Sequence, residues 1–242
     1  MVMRLQITRT RQHIEGEIER YGSGLDLATQ DLSGLDLSIL NLSGANLSRA
    51  YLQRTRFDDA TIDEINLSHS DLREACLSWA VARRSHLEQA DLRGADLSWV
   101  CMPCSSLAQA DLRWADMVGA KLQESNLAGA DMRFCKLEWA NLIGADLRHA
   151  KLSKADLRKA NLERANLANA VLDEVDLRGA TCDDSTIWPE YFDLSDRGLI
   201  QKQTVSLQRE HGTSERAVGE RRLTTADRRP MTADGGRAIQ RG

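Results

Sequence analysis

The stretch Ala155–Ala170, ADLRKANLERANLANA, repeats one five-residue unit three times. In each unit Ala is followed by Asp or Asn and then by Leu, and two more variable residues close the unit. The same frame runs from Leu25 to Ile187, where every fifth residue counted from Leu27 is apolar; 25 of these 33 central residues are Leu. The chain is therefore a tandem array, and its fold must follow from one repeated unit.

The alternation within a unit predicts how it is oriented. In an extended chain the first and third side chains point the same way, and Leu makes that direction the interior. All seven glycines between residues 25 and 187 occupy the last position of a unit, and Pro103 occupies a fourth position. Pro followed by Gly suits the two middle positions of a type II turn. Each unit is therefore predicted to be a short extended segment followed by a corner.

Units such as ADLRG (Ala90–Gly94) and ANLERANLANA (Ala160–Ala170) resemble the pentapeptide repeat family, and the resemblance covers about residues 25–187. It implies an all-β fold, a right-handed quadrilateral (square) parallel β-helix solenoid with four units per coil. The 33 units then make about eight coils, and the solenoid is roughly 40 Å long at ~4.8 Å per stacked strand. Each residue should stack on its counterpart four units later, so that equivalent residues form columns.

Three segments flank the repeats. Residues 1–24 precede the frame and are a candidate N-terminal cap, because a solenoid needs its open ends covered. Residues 188–199 are predicted to cap the other end, or to join two copies of the chain into a homodimer, through Trp188, Tyr191 and Phe192. Thr186, Trp188, Pro189, Phe192 and Asp193 resemble the segment that follows the repeats in many bacterial family members. Residues 200–242 are polar and Arg-rich, and we expect them to be disordered.

Composition and charge bear on the cellular compartment of the protein. The net charge of −4 is neither strongly basic nor strongly acidic. No stretch approaches the ~18 consecutive apolar residues of a membrane span, and the N-terminus lacks the apolar core of a signal peptide. The five cysteines are an odd number, which favours reduced thiols. We therefore predict a cytoplasmic protein without a membrane segment.

The sequence offers little catalytic chemistry. The histidines lack metal-ligand spacing, the glycines are isolated corner residues, and we predict neither an enzyme nor a cofactor or metal site. Cys101 and Cys104 form a C-x-x-C motif, which can be a redox dithiol or half of a zinc site. The motif falls in frame, however, with Met102 as the buried centre and Pro103 as the turn residue. We interpret it as a product of the repeat, with redox or zinc chemistry as a minor alternative.

The aromatic residues of the repeats point to a binding surface. Trp79, Trp99 and Trp139 close their units and fall on one column, while Trp114 and Phe134 fall on the adjacent column. A β-helix does not need large rings at its corners, and exposed apolar patches often mark interaction sites. Alternatively, the rings stack on one another and on Arg side chains and stiffen the wall. The leading hypothesis is a non-enzymatic scaffold that binds an unknown protein partner through these five residues.

A second hypothesis comes from the resemblance, because some pentapeptide repeat proteins mimic DNA and bind type II topoisomerases such as gyrase. Residues 25–187 carry 18 Lys/Arg and 25 Asp/Glu, so their net charge is negative. A column of Asp residues nevertheless lies beside a column of Arg residues, at positions 71, 91, 111 and 131 and at 73, 93, 113 and 133. The fields of the two columns should largely cancel beyond ~10 Å. DNA mimicry is therefore the alternative rather than the leading prediction.

Overall fold

The computed structural model describes residues 10–195, 197–202 and 220–222, the last three by their backbone alone. Helix α1 (Arg11–Tyr21) and a 3-10 helix (Gly22–Gly24) precede the repeats. Three short strands follow or end them: β1 (Thr181–Asp183), β2 (Ile200–Lys202) and β3 (Glu220–Arg222).

The repeats form a solenoid in which four units make one coil. The residue before each centre pairs in parallel with its counterpart four units later, from Asp26 with Asn46 to Asn161 with Thr181. Each pairing residue is bonded on both sides; the Asp96 amide, for example, donates to Ala75 O (2.9 Å), and Asp96 O accepts from the Leu77 amide (2.7 Å). Each unit thus forms one side of a square, and the predicted right-handed quadrilateral β-helix is confirmed.

The interior is a set of stacked apolar side chains. The central Leu residues and the Ala residues two positions before them are buried along the whole solenoid. Phe57, Ile62, Ala82, Met102 and Met117 fill central positions in the same core. Because Ala brings the backbone close to the centre, the coil stays narrow enough for one central side chain per side to fill it. The outward positions between them are left to polar residues.

Every corner has a left-handed backbone. All 31 unit-closing residues from Thr29 to Gly179 have a positive φ, between 53° and 72°, and only seven of them are glycine. In most units a hydrogen bond closes the corner, as from the Ala95 amide to Leu92 O (3.0 Å). The glycine positions predicted these corners, but Trp, Phe and Ile residues adopt the same conformation, which L-residues ordinarily disfavour.

Ile39 is the most strained of these corner residues. It is β-branched, has a φ of 67°, and is 75% exposed, so little packing offsets its conformational cost. We expect Ile39→Gly to raise the free energy of unfolding by roughly 0.5–1 kcal/mol, as measured by urea denaturation. The matched control is Ile143→Gly, which removes a half-buried Ile side chain from a residue with negative φ and should lower stability. A loss of stability in Ile39→Gly would contradict the strain at this corner.

At two corners the usual amide-to-carbonyl hydrogen bond is replaced by bonds to a serine hydroxyl of the next coil. The Ser85 amide donates to Ser105 Oγ (3.0 Å) in the next coil rather than to Ala82 O, and Ser105 Oγ in turn donates to Ala82 O (2.8 Å). The corner at Pro103 repeats this arrangement, with the Ser105 amide donating to Ser125 Oγ (3.3 Å) and that hydroxyl donating to Met102 O (2.8 Å). These buried hydroxyls therefore satisfy backbone groups of the preceding coil.

The repeat frame does not reach Ile187 unchanged, which corrects the sequence assignment. Asn166 pairs with Ile187 instead of Thr186, so Ile187 lies at the outward position and is half exposed instead of being a buried centre. The corner before it is one residue longer, since the Thr186 amide bonds to Asp183 O. Thr186 takes the inward position in place of Ser185. Regular centres therefore end at Cys182, which leaves 32 units and eight coils.

The two ends differ from the repeats. At the N-terminal end, Ile14 of α1 is fully buried in the core cluster, and Arg11 Nη1 contacts Asp36 Oδ1 (3.3 Å). At the other end β2 pairs in parallel with β1, and β3 pairs antiparallel with β2. The expected disorder of residues 200–242 is thus wrong for β2 and β3, because a strand edge can bind polar segments through backbone hydrogen bonds alone. The rest of that segment lies outside the described residues.

Candidate protein-binding face

Five of the seven aromatic residues in the repeats lie at two adjacent corners of the middle coils; the other two are Tyr51 and the buried Phe57. All five are exposed, from 42% for Phe134 to 58% for Trp79. We name the two groups by their first members. The Trp79 wall consists of Trp79, Trp99 and Trp139, and the Trp114 wall consists of Trp114 and Phe134. Because Trp114 follows Trp99 by three units, one short of a full coil, the walls flank the same side of the solenoid.

The rings are held in fixed orientations by stacking. The Trp79 and Trp99 centroids lie 5.4 Å apart with an interplanar angle of 12°, and those of Trp114 and Phe134 lie 5.5 Å apart with an angle of 5°. Gly119 continues the Trp79 wall, and an added Cβ there would lie 2.5 Å from the Trp99 ring. Gly119 therefore makes room for that ring. Stacking and solvent exposure coexist, so the two alternatives from the sequence are compatible.

Cations cover part of each wall. Lys159 Nζ lies 4.3 Å from the Trp139 centroid, and Lys154 Nζ lies 5.9 Å from that of Phe134. The Arg113 guanidinium lies 5.5 Å from the Trp114 centroid. Such contacts contribute about 0.5–1 kcal/mol at exposed sites. They leave the Trp79–Trp99 pair as the part of the walls that carries no cation contact among the described residues.

Between the walls the surface is formed by short side chains. This side is formed by the units 75–79, 95–99 and 115–119, which stack on one another in three successive coils. We call it the aromatic-walled face. Its six outward residues are all half-buried and come from alternate positions of the three units. They are Cys76, Ser78, Asp96, Ser98, Asp116 and Val118. Three extended residues span about 10 Å, so the two corner columns border a trough of roughly that width. Across it, Trp79 and Trp99 lie opposite Glu74 and Gly94, and Trp114 lies opposite Gly119.

The neighbouring side carries the alternating Asp and Arg columns that the sequence predicted. Arg93 binds Asp91 through two nitrogens, Nε to Oδ1 (2.8 Å) and Nη2 to Oδ2 (2.6 Å), and its Nε also lies 3.6 Å from Asp111 Oδ2. The same pairing joins Arg73 to Asp71, and the guanidinium hydrogen bond there lowers the pKa of Asp71. The two columns therefore form a continuous ion-pair ladder in which each carboxylate has a cation beside it.

Asp96 differs from these aspartates. Its Oδ1 accepts the Ser98 amide (2.9 Å), and its Oδ2 lies 4.0 Å from Cys76 Sγ. Within the described part of the chain no cation forms an ion pair with it. Lys136 bonds instead to Asp116 (2.9 Å), and this bond is the main reason why the pKa of Lys136 is raised, with a smaller contribution from Asp96. Asp96 was not among the site residues predicted from the sequence, although Ser98 stands where Arg follows the paired aspartates.

The cysteines differ in how far they are buried. Cys101 is half-buried and Cys104 exposed, and both are free thiols on the two sides of the corner at Pro103. Cys135 and Cys182 are buried; burial raises the pKa of both thiols, to about 11 for Cys182. Among the described residues, no three His, Cys, Asp or Glu side chains are grouped as a metal site would require.

The aromatic residues after the repeats lie at the C-terminal end. Trp188 and Phe192 pack against the core cluster, and their ring centroids lie 5.7 Å apart with an interplanar angle of 17°. The Arg197 guanidinium lies 4.8 Å from the Phe192 centroid. Tyr191, by contrast, is 90% exposed. The three residues therefore separate into a packed pair and one ring that points to solvent.

The coil geometry defines the chain as a solenoid protein built on a quadrilateral β-helix with an exposed aromatic side. The family model for pentapeptide repeats matches residues 31–68, 41–78, 70–103, 105–144 and 140–179, which together span more than half of the chain. The chain therefore belongs to the pentapeptide repeat family. In the described part of the chain, helices are too short and too polar to cross a membrane.

Two solved structures are similar to this chain over most of its length. HetL, a pentapeptide repeat protein involved in heterocyst differentiation regulation in the cyanobacterium Nostoc sp. strain PCC 7120, is 27% identical, with a TM-score of 0.42 over 71% of this chain and 94% of HetL. QnrB1, a plasmid-mediated fluoroquinolone resistance protein, is 23% identical, with a TM-score of 0.39 over 68% of this chain and 86% of QnrB1. No curated protein sequence matches significantly.

Proposed function

We propose that this protein is a non-enzymatic scaffold that binds another protein through the aromatic-walled face. The observation that carries the proposal is the placement of five exposed rings on two corners of one side, in a fold whose core is already filled by Leu and Ala. The rings contribute little to the interior, so their apolar surface is available to a partner. Aromatic residues that are held rigid lose little entropy on binding and are typical anchors of protein interfaces.

The area of the patch fits a protein contact. A large aromatic side chain buries about 150–250 Å² when it is fully covered, so five half-exposed rings offer roughly 500 Å² of apolar surface. That is at the upper end of the largest patch on an ordinary monomer, and it is somewhat over half of the ~800 Å² that a standard interface covers on each partner. With the polar residues between the walls, the face is large enough for a specific complex.

The experiment is affinity capture from an extract of the native cells, with the full chain as bait. The double variant Trp99→Ser/Trp114→Ser should keep the circular dichroism spectrum and unfolding midpoint of the wild type and lose the captured partners. Tyr51→Ser is the matched control, because Tyr51 is similarly exposed (55%) but lies on a different side of the solenoid. Identical partners for the wild type and the double variant would contradict the proposal.

DNA mimicry with binding to gyrase is the second candidate. The negative charge of the repeats favours it, with 18 Lys/Arg against 25 Asp/Glu. The ion-pair ladder weighs against it, because pairing each Asp with Arg removes the coherent negative surface that a DNA mimic presents. A gyrase supercoiling assay with purified protein decides between the candidates, since the scaffold proposal expects no effect across a wide range of concentrations.

We propose that both ends of the solenoid are capped. We assign α1 to the N-terminal end and the Trp188–Phe192 pair to the C-terminal end, because both bring apolar side chains onto the core cluster. Tyr191 remains available for a contact between two copies of the chain, which would make a homodimer through that end. We propose a cytoplasmic location, because all five cysteines are free thiols.

A further inference from the structure

We infer that the aromatic-walled face binds a peptide segment that carries an arginine, with the guanidinium paired to Asp96 and lying against the Trp79–Trp99 pair. This inference rests on the proposed function and names the chemistry of the partner. Asp96 is a half-buried carboxylate that pairs along its column with Cys76 and Asp116. It forms no ion pair within the described residues, and Lys136, two coils on, is bonded to Asp116 instead.

Elsewhere in the solenoid, several carboxylates at this position of the unit are paired with an arginine of the same unit. Where Arg stands two residues after Asp, the guanidinium binds the carboxylate through two nitrogens, as in the pairs Asp71–Arg73, Asp91–Arg93, Asp111–Arg113 and Asp131–Arg133. In the unit Ala95–Trp99 the corresponding residue is Ser98, which donates its amide to Asp96 Oδ1 (2.9 Å) but carries no charge to pair with the carboxylate. Asp96 therefore presents the same acceptor geometry without the internal donor, and an arginine from a partner can take that place.

The walls favour arginine over lysine for this role. A guanidinium is planar, so it can lie on an indole face and still donate two hydrogen bonds to one carboxylate, whereas an ammonium acts as a point charge. Trp99 closes the same unit as Asp96; Trp79 stacks on one face of its ring, and Gly119 lies against the ring from the following coil. A guanidinium paired to Asp96 would therefore contact the exposed edges of the two rings. The cations of the chain itself contact the other rings, on Trp114, Phe134 and Trp139. The Trp79–Trp99 pair is thus the part of the walls left for a cation from outside.

The shape of the trough favours an extended segment. The residues around Asp96 are short, and Gly94, at the corner where the unit begins, leaves the coil open on the side opposite Trp99. The strand residues of this side are already paired with the coils above and below, so the segment would be held by its side chains and not by joining a sheet. An apolar residue next to the arginine would contact Val118 and the Trp114 wall.

The test is a selection of 12-residue random peptides displayed on phage against the full chain, followed by affinity measurement with the strongest synthetic peptide. The enriched peptides should carry Arg beside an apolar or aromatic residue. Asp96→Asn should weaken the peptide about tenfold or more, because a charge-assisted pair is lost. Asn fits this position without harm to the fold, since Asn41 and Asn66 accept the same amide two residues ahead.

Asp31→Asn is the matched control, because Asp31 accepts the Ser33 amide in the same way (3.1 Å) but lies on another side; it should change affinity less than twofold. Peptides that need Trp99 and Trp114 but lack a basic residue and ignore Asp96→Asn would overturn this inference and leave the proposed function intact. If no enriched peptide depends on the aromatic residues, the inference is overturned as well, and the capture experiment then judges the proposed function separately.

Discussion

Ser105→Ala is expected to lower the free energy of unfolding by about 2–4 kcal/mol, although it removes a single oxygen atom. The hydroxyl is buried and serves two backbone groups of the preceding coil, accepting from the Ser85 amide (3.0 Å) and donating to Ala82 O (2.8 Å). At this corner the Ser85 amide does not bond to Ala82 O, so both buried groups lose their hydrogen-bond partner when the hydroxyl is removed. Urea denaturation followed by circular dichroism measures the loss.

The control for this prediction is Ser70→Ala, which changes the same position of the unit at the same burial. Ser70 Oγ donates to Leu67 O (2.7 Å), but that oxygen also accepts the Ser70 amide (3.2 Å), which the substitution leaves in place. The cost should therefore stay below about 1 kcal/mol. Equal losses in the two variants would mean that the closure of the corner between Ala82 and Ser85 does not depend on Ser105.

Ile14→Asp is the second substitution with a large expected effect. Ile14 is the fully buried residue of α1, and a carboxylate cannot be accommodated in the apolar core without a partner. We expect α1 to detach and the free energy of unfolding to fall by about 3 kcal/mol, since a buried aliphatic side chain contributes of that order. Limited proteolysis should then cut within Arg11–Tyr21, and the urea midpoint should shift.

Ile39→Asp provides the control with the same change of side chain. Ile39 is exposed at a left-handed corner, where Asp is better tolerated than a β-branched residue, so stability should be unchanged or slightly higher. If Ile14→Asp leaves the midpoint and the proteolytic pattern of the wild type, α1 does not protect the end of the solenoid and its assignment as a cap fails.

The columns of the solenoid could be predicted from the sequence because one unit determines them. Once four units make a coil, arithmetic alone places Trp79 above Trp99 and Asp91 above Asp111, and the structure pairs them accordingly. The left-handed corners followed from the glycines. That Ile39, Trp99 and Phe134 take the same conformation could not be predicted, since it results from the coil imposing its geometry on residues that disfavour it.

The end of the repeats was harder to predict because an apolar residue hides the change of frame. Ile187 falls on the expected fifth position, yet the corner before it contains an extra residue. The informative residues are Thr186, whose hydroxyl donates to Leu162 O (2.9 Å) as an inward residue, and Trp188, which packs against the core. Strands β2 and β3 show no recognisable sequence pattern, because pairing at a strand edge uses backbone hydrogen bonds and requires little of the side chains.

The unpaired carboxylate of Asp96 can be recognised in the sequence by comparing neighbouring units. An Asp-Leu-Arg unit pairs its own carboxylate, as in Asp91 with Arg93, whereas the Asp-Leu-Ser unit at Asp96 does not. The difference is visible in the sequence as ADLRG followed directly by ADLSW. Consensus residues predict the fold, and departures from the consensus at outward positions indicate where the surface is free to bind.

The four-unit coil also constrains how such a gene can change in length. A deletion of one five-residue unit between Trp99 and Phe134 would keep every buried centre in frame, but it would turn all later units by a quarter of a revolution and carry Phe134 and Trp139 away from the shared side. A deletion of four consecutive units would instead shorten the rod by one coil and leave the walls aligned. Alignment of the two walls therefore depends on the number of units between them as well as on which residues they are.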